Sequence, residues 1–442
     1  MKRLFDDYAY GEGPRANCWW DASHDIGPRP SFSENGRTDV AIIGAGFTGL
    51  SAALHLARAG ISVTVLDAQR IGWGASGRNG GFCCLGGGMA GDSLLDRRFG
   101  RDGRIAFRRT ERAAIELVES IIQQHDIEVD RHSKGETMLA HRPKDMAELE
   151  AHAKAIDENY GVPYQLHKAE SLASLGMAGP FHGGLTIETG FGLNPRKYLA
   201  GLTQAAEASG ARIYEQSEVT GLRSQVDGWV LEANGHKLRA DRVIIATNGY
   251  SSENLPNWLA GRYLPSQSNV IVTRPLDDNE LAAAGWSSDQ MCYDTRNLLH
   301  YFRLLPNRRF LFGMRGGVFT GAAAEAKATQ CIRTDFERMF PAWSGVEATH
   351  GWSGMVCLSR DLMPFVGEIP EQSGLYAGLC YHGNGIATGT YSGALLAQLV
   401  QDQPPTLIHP QAMRAPLRRF PLGRWRRALL PFAYGAYAIA DR

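Results

Sequence analysis

Three glycines and an acid carry the first chemical signal in this chain. Gly44, Gly46 and Gly49 follow directly on the apolar, β-branched run Val40 to Ile43, and Asp67 closes a second such run, Ile61 to Leu66. Between the runs Leu50, Ala53, Leu54 and Ala57 recur at helical spacing, and Gly60 stands where a helix would stop. Strand, glycine turn, helix, strand and acid in that order suit a dinucleotide. Gly44 permits a tight turn, Gly46 lacks the Cβ that would hold a pyrophosphate off, and Gly49 lets the helix lie close to the strand. The helix then offers the phosphates free N–H groups and a positive dipole end. Asp67 can accept hydrogen bonds from a ribose 2′-hydroxyl, and its charge argues against a 2′-phosphate. The motif alone does not separate FAD from NAD. A second glycine cluster follows at once in IGWGASGRNGGF, where Gly72, Gly74, Gly77, Gly80 and Gly81 surround Ser76, Arg78 and Asn79. Such a loop brings many backbone N–H groups to one flat or anionic ligand, or else serves as a flexible linker.

The elements that must position these groups are those of a chain of 442 residues, long enough for two or three domains. A formal net charge of zero favours neither nucleic acid nor an acidic membrane surface as partner. The first twenty residues contain no apolar leader core and no stretch reads as a membrane span, so a soluble, cytoplasmic protein is expected. Seven scattered cysteines with no CxxC pair indicate neither a disulfide framework nor a zinc site.

Residues 1–37, rich in Gly, Pro, Asn and Asp, read as an extended arm pinned by Trp19 and Trp20. Asp92 to about His125 is an amphipathic helix, GETMLA (135–140) a strand, and Pro143 to Leu172 one or two helices. A turn at Asn194-Pro195 opens a further helix, Arg212 to Tyr214 is a strand, and Asn234-Gly235 joins a hairpin. Asp241 to Tyr250 is a buried strand ending in small residues. The alternating runs 269–274, 298–305 and 308–316 suit an antiparallel sheet with one face toward a ligand. Strand, loop and long helix return over 375–400. The tail beyond Asp402, rich in Pro, Arg and aromatics, reads as wrapped on the body or as a basic partner-binding segment.

Four stretches together resemble a known family. Thr38 to Gly81 with GWGASGRNGG, Gly190 to Leu202 with NPRKYLAGL, Val243 to Tyr250 with ATNGY, and Tyr381 to Ile386 with HGNGI are similar to the FAD-dependent D-amino-acid oxidase superfamily. Within it the γ-glutamylputrescine oxidoreductase-like flavoproteins look nearest. The resemblance implies an α/β fold: a discontinuous Rossmann-like FAD-binding domain (38–90, 183–255 and 350–402) and an α+β substrate domain on an antiparallel sheet (91–182 and 256–349), flanked by the arm 1–37 and the tail 403–442. Carried over, Gly44, Gly46, Phe47, Thr48 and Gly49 would hold the pyrophosphate, with Asp67 and Ala68 at the adenosine ribose. Gly74, Ser76, Arg78, Asn79, Gly80 and Gly81 would run along the pyrophosphate and isoalloxazine. Val219 would contact adenine, and Ala246, Thr247 and Gly249 would lie near the phosphate and ribityl chain. Gly383, Asn384, Gly385 and Ile386 would meet the pyrimidine edge of the flavin, where a helix N-terminus stabilises the charge of the reduced ring. His382 adds a donor there or merely packs the loop.

The implied reaction moves a hydride from a carbon bearing an amine to flavin N5, leaving an imine, with oxygen or another compound as final electron acceptor. No metal is required. The amine must be neutral, and a poorly hydrated aromatic cavity favours that form. Tyr250, Tyr301, Trp352 and Tyr381 are candidates for its wall, or plain core. Three positions depart from relatives within the superfamily. Val356 takes the slot where glycine and D-amino-acid oxidases clamp a carboxylate with arginine, which favours an amine, a polyamine derivative or an N-substituted amino acid as substrate. Arg303 or Arg315 could substitute, or sit at solvated strand ends. Leu311 stands near the position of a lysine that assists oxygen reaction in sarcosine oxidases, which leaves a dehydrogenase open. Cys357 lies near their covalent attachment point, but its alignment there is poor, and noncovalent FAD beside an inert thiol is expected. The alternatives are an NAD-dependent dehydrogenase and a non-catalytic flavin-binding subunit.

Overall fold

The computed structural model describes residues 1–441. In chain order its strands are β1 (Gly36–Ile43), β2 (Val63–Leu66), β3 (Phe82–Cys83), β4 (Glu136–Leu139), β5 (Tyr164–Lys168), β6 (Gly183–Ile187), β7 (Phe191–Gly192), β8 (Arg212–Tyr214) and β9 (Val219–Gln225). There follow β10 (Gly228–Ala233), β11 (His236–Ile245), β12 (Leu264–Pro275), β13 (Met291–Asp294), β14 (His300–Leu304), β15 (Arg309–Arg315), β16 (Ala348–Leu358), β17 (Phe365–Glu368) and β18 (Leu375–Leu379).

Two large sheets organise the molecule. The first runs β17-β18-β11-β1-β2-β8, with β9 and β10 added beside β11. Its centre is parallel: β1 pairs with β2 and β11, and β11 with β18. Such strands are covered on both faces and hence apolar throughout; Ala41, Ile42, Val65 and Ile244 are fully buried. On one face pack the helices Phe47–Arg58, Pro195–Ala208 and Ala387–Leu399. The second sheet runs β16-β12-β15-β14-β13-β4-β6-β5, antiparallel except between β13 and β4. One face is sealed by an aromatic core that includes Trp286, Phe302, Phe310, Phe336 and Trp343, leaving the other to face the first sheet's strand ends.

Several expectations shift in detail. Tyr164–Lys168, read as part of a helical stretch, is an edge strand whose side chains are mostly exposed, so it shows no apolar period. The second hairpin strand and the buried strand that follows it are one strand, β11, whose first half pairs with β10 and whose last three residues pair with β18. Two strands of the segments 183–255 and 350–402, β6 and β16, pair within the second sheet. The long helix Asp92–Gln124 is broken at Gly100, whose φ of 70° is not helical.

Both ends of the chain lie on this body. Trp20 is buried and its indole N–H donates to Asn79 O (2.8 Å). In the tail, Arg426 is wholly buried, paired with Glu253 (2.7 Å) and donating to Tyr263 O (2.7 Å). The described residues include no helix long and apolar enough to cross a membrane.

Candidate active site

A cavity of about 440 Å³ runs from the carboxyl ends of the parallel strands to the open face of the second sheet. Its first part is made by backbone. Gly44, at φ +106°, turns the chain past β11, and a Cβ there would lie 2.9 Å from Ala246 O. A Cβ on Gly49 would lie 1.9 Å from Gly44 O, so helix and turn touch only because it has none. Gly46 ends the turn as a helix cap without a side chain, and Phe47 N–H donates to Ser76 Oγ (3.1 Å). The Asp67 carboxylate accepts from the N–H groups of Ala45 (2.7 Å) and Gln69 (2.8 Å), bracing the turn, and burial raises its pKa to about 6. Ala68, Val219, Ala246 and Thr247 complete this end.

The second glycine loop forms the middle. Arg78 is buried, its guanidinium 4.3 Å from the Trp73 ring centre and 5.6 Å from that of Tyr250. It donates to Trp73 O (2.7 Å) and Ser353 O (3.3 Å). Asn79 folds the loop on itself, donating to Ser76 O (2.7 Å) and accepting from Gly81 N–H (2.8 Å). Opposite lies the turn His382 to Ile386, ahead of the helix Ala387–Leu399. His382 has the left-handed φ of 53°, and its Nε2 lies 3.1 Å from Ser359 Oγ. Burial, then Arg315, lowers its pKa to about 3, so the ring is neutral. Asn384 donates to Cys84 O (2.9 Å).

The far end belongs to the sheet. Ser268 on β12 stands opposite Arg315 on β15, and Tyr301 on β14 opposite Tyr293 on β13. Tyr301 reaches across Gly313 to hold Ser268 Oγ at 3.0 Å, and burial raises its pKa. Arg315 donates to His382 O (3.3 Å). Glu136 on β4 closes the row beside Cys84 and Leu85.

Not every expected residue meets the cavity. Gly49, Gly81 and Gly249 stand behind its wall; Cβ atoms there would meet Gly44 O, Leu193 O and the Met355 side chain. Trp352 is also behind it, its N–H on Arg78 O (2.7 Å) and its ring against Trp20. Tyr381 reaches the cavity from the nucleotide side, its hydroxyl 2.9 Å from Thr48 Oγ1. Arg303 is buried on His132 and Leu193 O, away from the cavity, whereas Arg315 lines it. Leu311 is core beside Trp20 and Trp352 and does not line the cavity. Val356 and Cys357 do line it. Sequence reasoning missed Ser268, Tyr293 and Glu136; a lone acid heading the apolar strand of GETMLA was the available signal for the last.

A sequence profile for the family described as FAD dependent oxidoreductase matches residues 39–399. The chain belongs to that family. This FAD-dependent oxidoreductase is 32% identical to a probable oxidoreductase OrdL of Rhizobium meliloti (strain 1021), covering 96% of this chain and 97% of the other. It is 30% identical to the γ-glutamylputrescine oxidoreductase of Escherichia coli (strain K12), covering 94% and 95%. Among solved structures, glycine oxidase from Geobacillus kaustophilus shares its fold, with a TM-score of 0.69 and 22% identity over 85% of this chain and 98% of that one. FAD is therefore the cofactor, and the cavity suits it. Among the described residues Arg78 Nη2, His382 Nδ1 and Asn384 Oδ1 are buried polar atoms without partners, all belonging to residues of its wall. Buried polar groups of this kind call for a polar ligand.

Proposed function

We propose that this oxidoreductase oxidises the C–N bond of an amine, a polyamine derivative or an N-substituted amino acid to an imine. The observation that carries the reading is the continuity of one cavity from the glycine turn to a chamber over the second sheet, with Val356 rather than an arginine on β16. The similarity to a γ-glutamylputrescine oxidoreductase supports the same substrate class.

Bound FAD supplies the acceptor for the hydride on the carbon beside nitrogen. The chain's residues do the rest. The first turn of the helix Phe47–Arg58, with Ser76, would hold the pyrophosphate, and Asp67 has lone pairs left for the ribose. Arg78, Asn384 and the amides before the helix Ala387–Leu399 would hold the ring system. Neutral His382 offers its free ring nitrogen without adding a buried cation. Tyr293, Leu299 and Tyr301 wall the chamber and exclude water, which favours the uncharged amine. Arg315 is the cation available for a substrate carboxylate or carbonyl.

Anaerobic mixing of the flavin-loaded enzyme with primary and secondary amines, N-alkyl amino acids and γ-glutamylputrescine tests this. At least one compound with a C–H beside nitrogen should bleach the flavin absorbance. A spectrum that stays oxidised throughout the panel would leave only a non-catalytic flavin-binding role. Repeating the productive mixture in air with peroxide detection identifies oxygen or another compound as the acceptor.

A further inference from the structure

Among the described residues no cation lies beside Glu136, a carboxylate buried at the sheet end of the cavity. Only 2% of the residue is exposed. Leu85 N–H donates to Oε1 (3.2 Å), and the Tyr293 hydroxyl and Cys84 thiol are its other polar neighbours. The surrounding charges do not neutralise it. Glu111, on the helix Asp92–Gln124, adds like charge. Arg108 is taken up by Glu111 (3.2 Å) and Asp92 (2.8 Å), and the Tyr160 hydroxyl also goes to Glu111 (2.7 Å). Arg315 lies on β15, three strands along the sheet, against His382. The other acids of the cavity wall belong to the nucleotide end, Asp67 on backbone amides and Glu218 paired with Arg3 (2.8 Å).

A buried carboxylate that lacks a counter-ion is costly unless it receives a cation or a proton. The amines of the proposed reaction carry both at neutral pH, and must lose the proton before the C–H bond can be oxidised. We propose that Glu136 pairs with the substrate's ammonium group and takes its proton, an inference that rests on the amine reading above. One N–H bond breaks and one O–H bond forms at the carboxylate. The ion pair becomes a neutral amine beside a neutral acid, and no oxidant is consumed. Burial supports the role by raising this carboxyl to about 7, while Tyr293 and Leu85 N–H favour its ionised form. Its proton affinity is thus poised for exchange at neutral pH.

The test uses the flavin-loaded enzyme and tert-butylamine, which has no C–H beside nitrogen and so binds without reacting; binding is read from the shift in flavin absorbance. In the wild type the Kd should weaken on the order of tenfold per pH unit as pH falls below the Glu136 midpoint. Above that midpoint Glu136→Gln should bind at least about tenfold more weakly, and its dependence on that ionisation should vanish. Tyr293→Phe should move the midpoint upward, because a donor to the ionised form is lost. Unchanged affinity and pH dependence in flavin-loaded Glu136→Gln would overturn the proposal. Should that variant fail to hold FAD, an unmoved midpoint in Tyr293→Phe would do so instead. Failure of the amine reading looks different: no oxidisable amine bleaches the wild type, while tert-butylamine binding still follows Glu136.

Discussion

The two ends of the cavity are built from different materials. At the nucleotide end the wall is mostly backbone, held close by glycines that tolerate no Cβ. At the sheet end it is side chain: Ser268, Arg315, Tyr301, Tyr293 and Glu136 come from five strands whose backbones would accept many residues. A groove of backbone is specified by what must be missing, whereas a chamber of side chains is specified by what is present. The first should therefore fail as a unit when altered, and the second should change its preferences one residue at a time.

Gly49→Ala puts the greatest load on that contrast. A Cβ 1.9 Å from a backbone oxygen forces helix and turn apart. We expect loss of bound FAD and destabilisation of about 3 kcal/mol or more, measured as flavin-to-protein ratio and denaturant midpoint. A variant with full flavin content would break the comparison.

Next comes acid. His382 is held neutral, its pKa lowered to about 3 against an ordinary 6.5. Between those values the unfolded chain binds a proton that the folded one refuses. Stability is therefore fully present above the higher value and is lost as pH falls toward the lower, by on the order of a few kcal/mol. Denaturant midpoints over that range should show a smaller loss in His382→Gln; parallel curves would refute the assignment.

Arg315→Met should act chiefly at the sheet end. Flavin content stays, while KM for carboxylate-bearing amines rises on the order of tenfold and KM for simple alkylamines does not. Equal rises for both classes would deny Arg315 a role in selecting substrates. The smallest effect is expected for Trp352→Phe, which removes the hydrogen bond to Arg78 O from behind the wall. It should cost about 1 kcal/mol in stability and leave KM unchanged, as thermal unfolding and steady-state kinetics would show.

The same contrast explains what could be read from the chain. β1, the helix Phe47–Arg58 and β2 were legible because an apolar run, a helical period and a glycine spacing all lie within thirty-one residues, 36–66. At the sheet end only Tyr301 and Arg315 were legible, because Ser268, Tyr293 and Glu136 are scattered along the chain and meet them only through strand pairing. Only 269–274 of β12 alternates clearly; its first residues include Ser266, Gln267 and Ser268, polar types that carry no strand signal. Trp352 has the residue type of a wall, yet its strand turns it toward Trp20. One residue of register decides which face a side chain joins.

The route of the chain through the first sheet bears on how the enzyme is made. β1 leaves the ribosome early but hydrogen-bonds to β11, roughly 200 residues later, and β11 to β18, later still. The nascent polypeptide thus carries an apolar strand with an unpaired edge until β11, and then β18, has been made, a hazard for self-association. The last stretch of the cavity wall, His382 to Ile386, is made near the end of synthesis, so a complete flavin site exists only in nearly finished chains, and their yield should depend on riboflavin supply during expression.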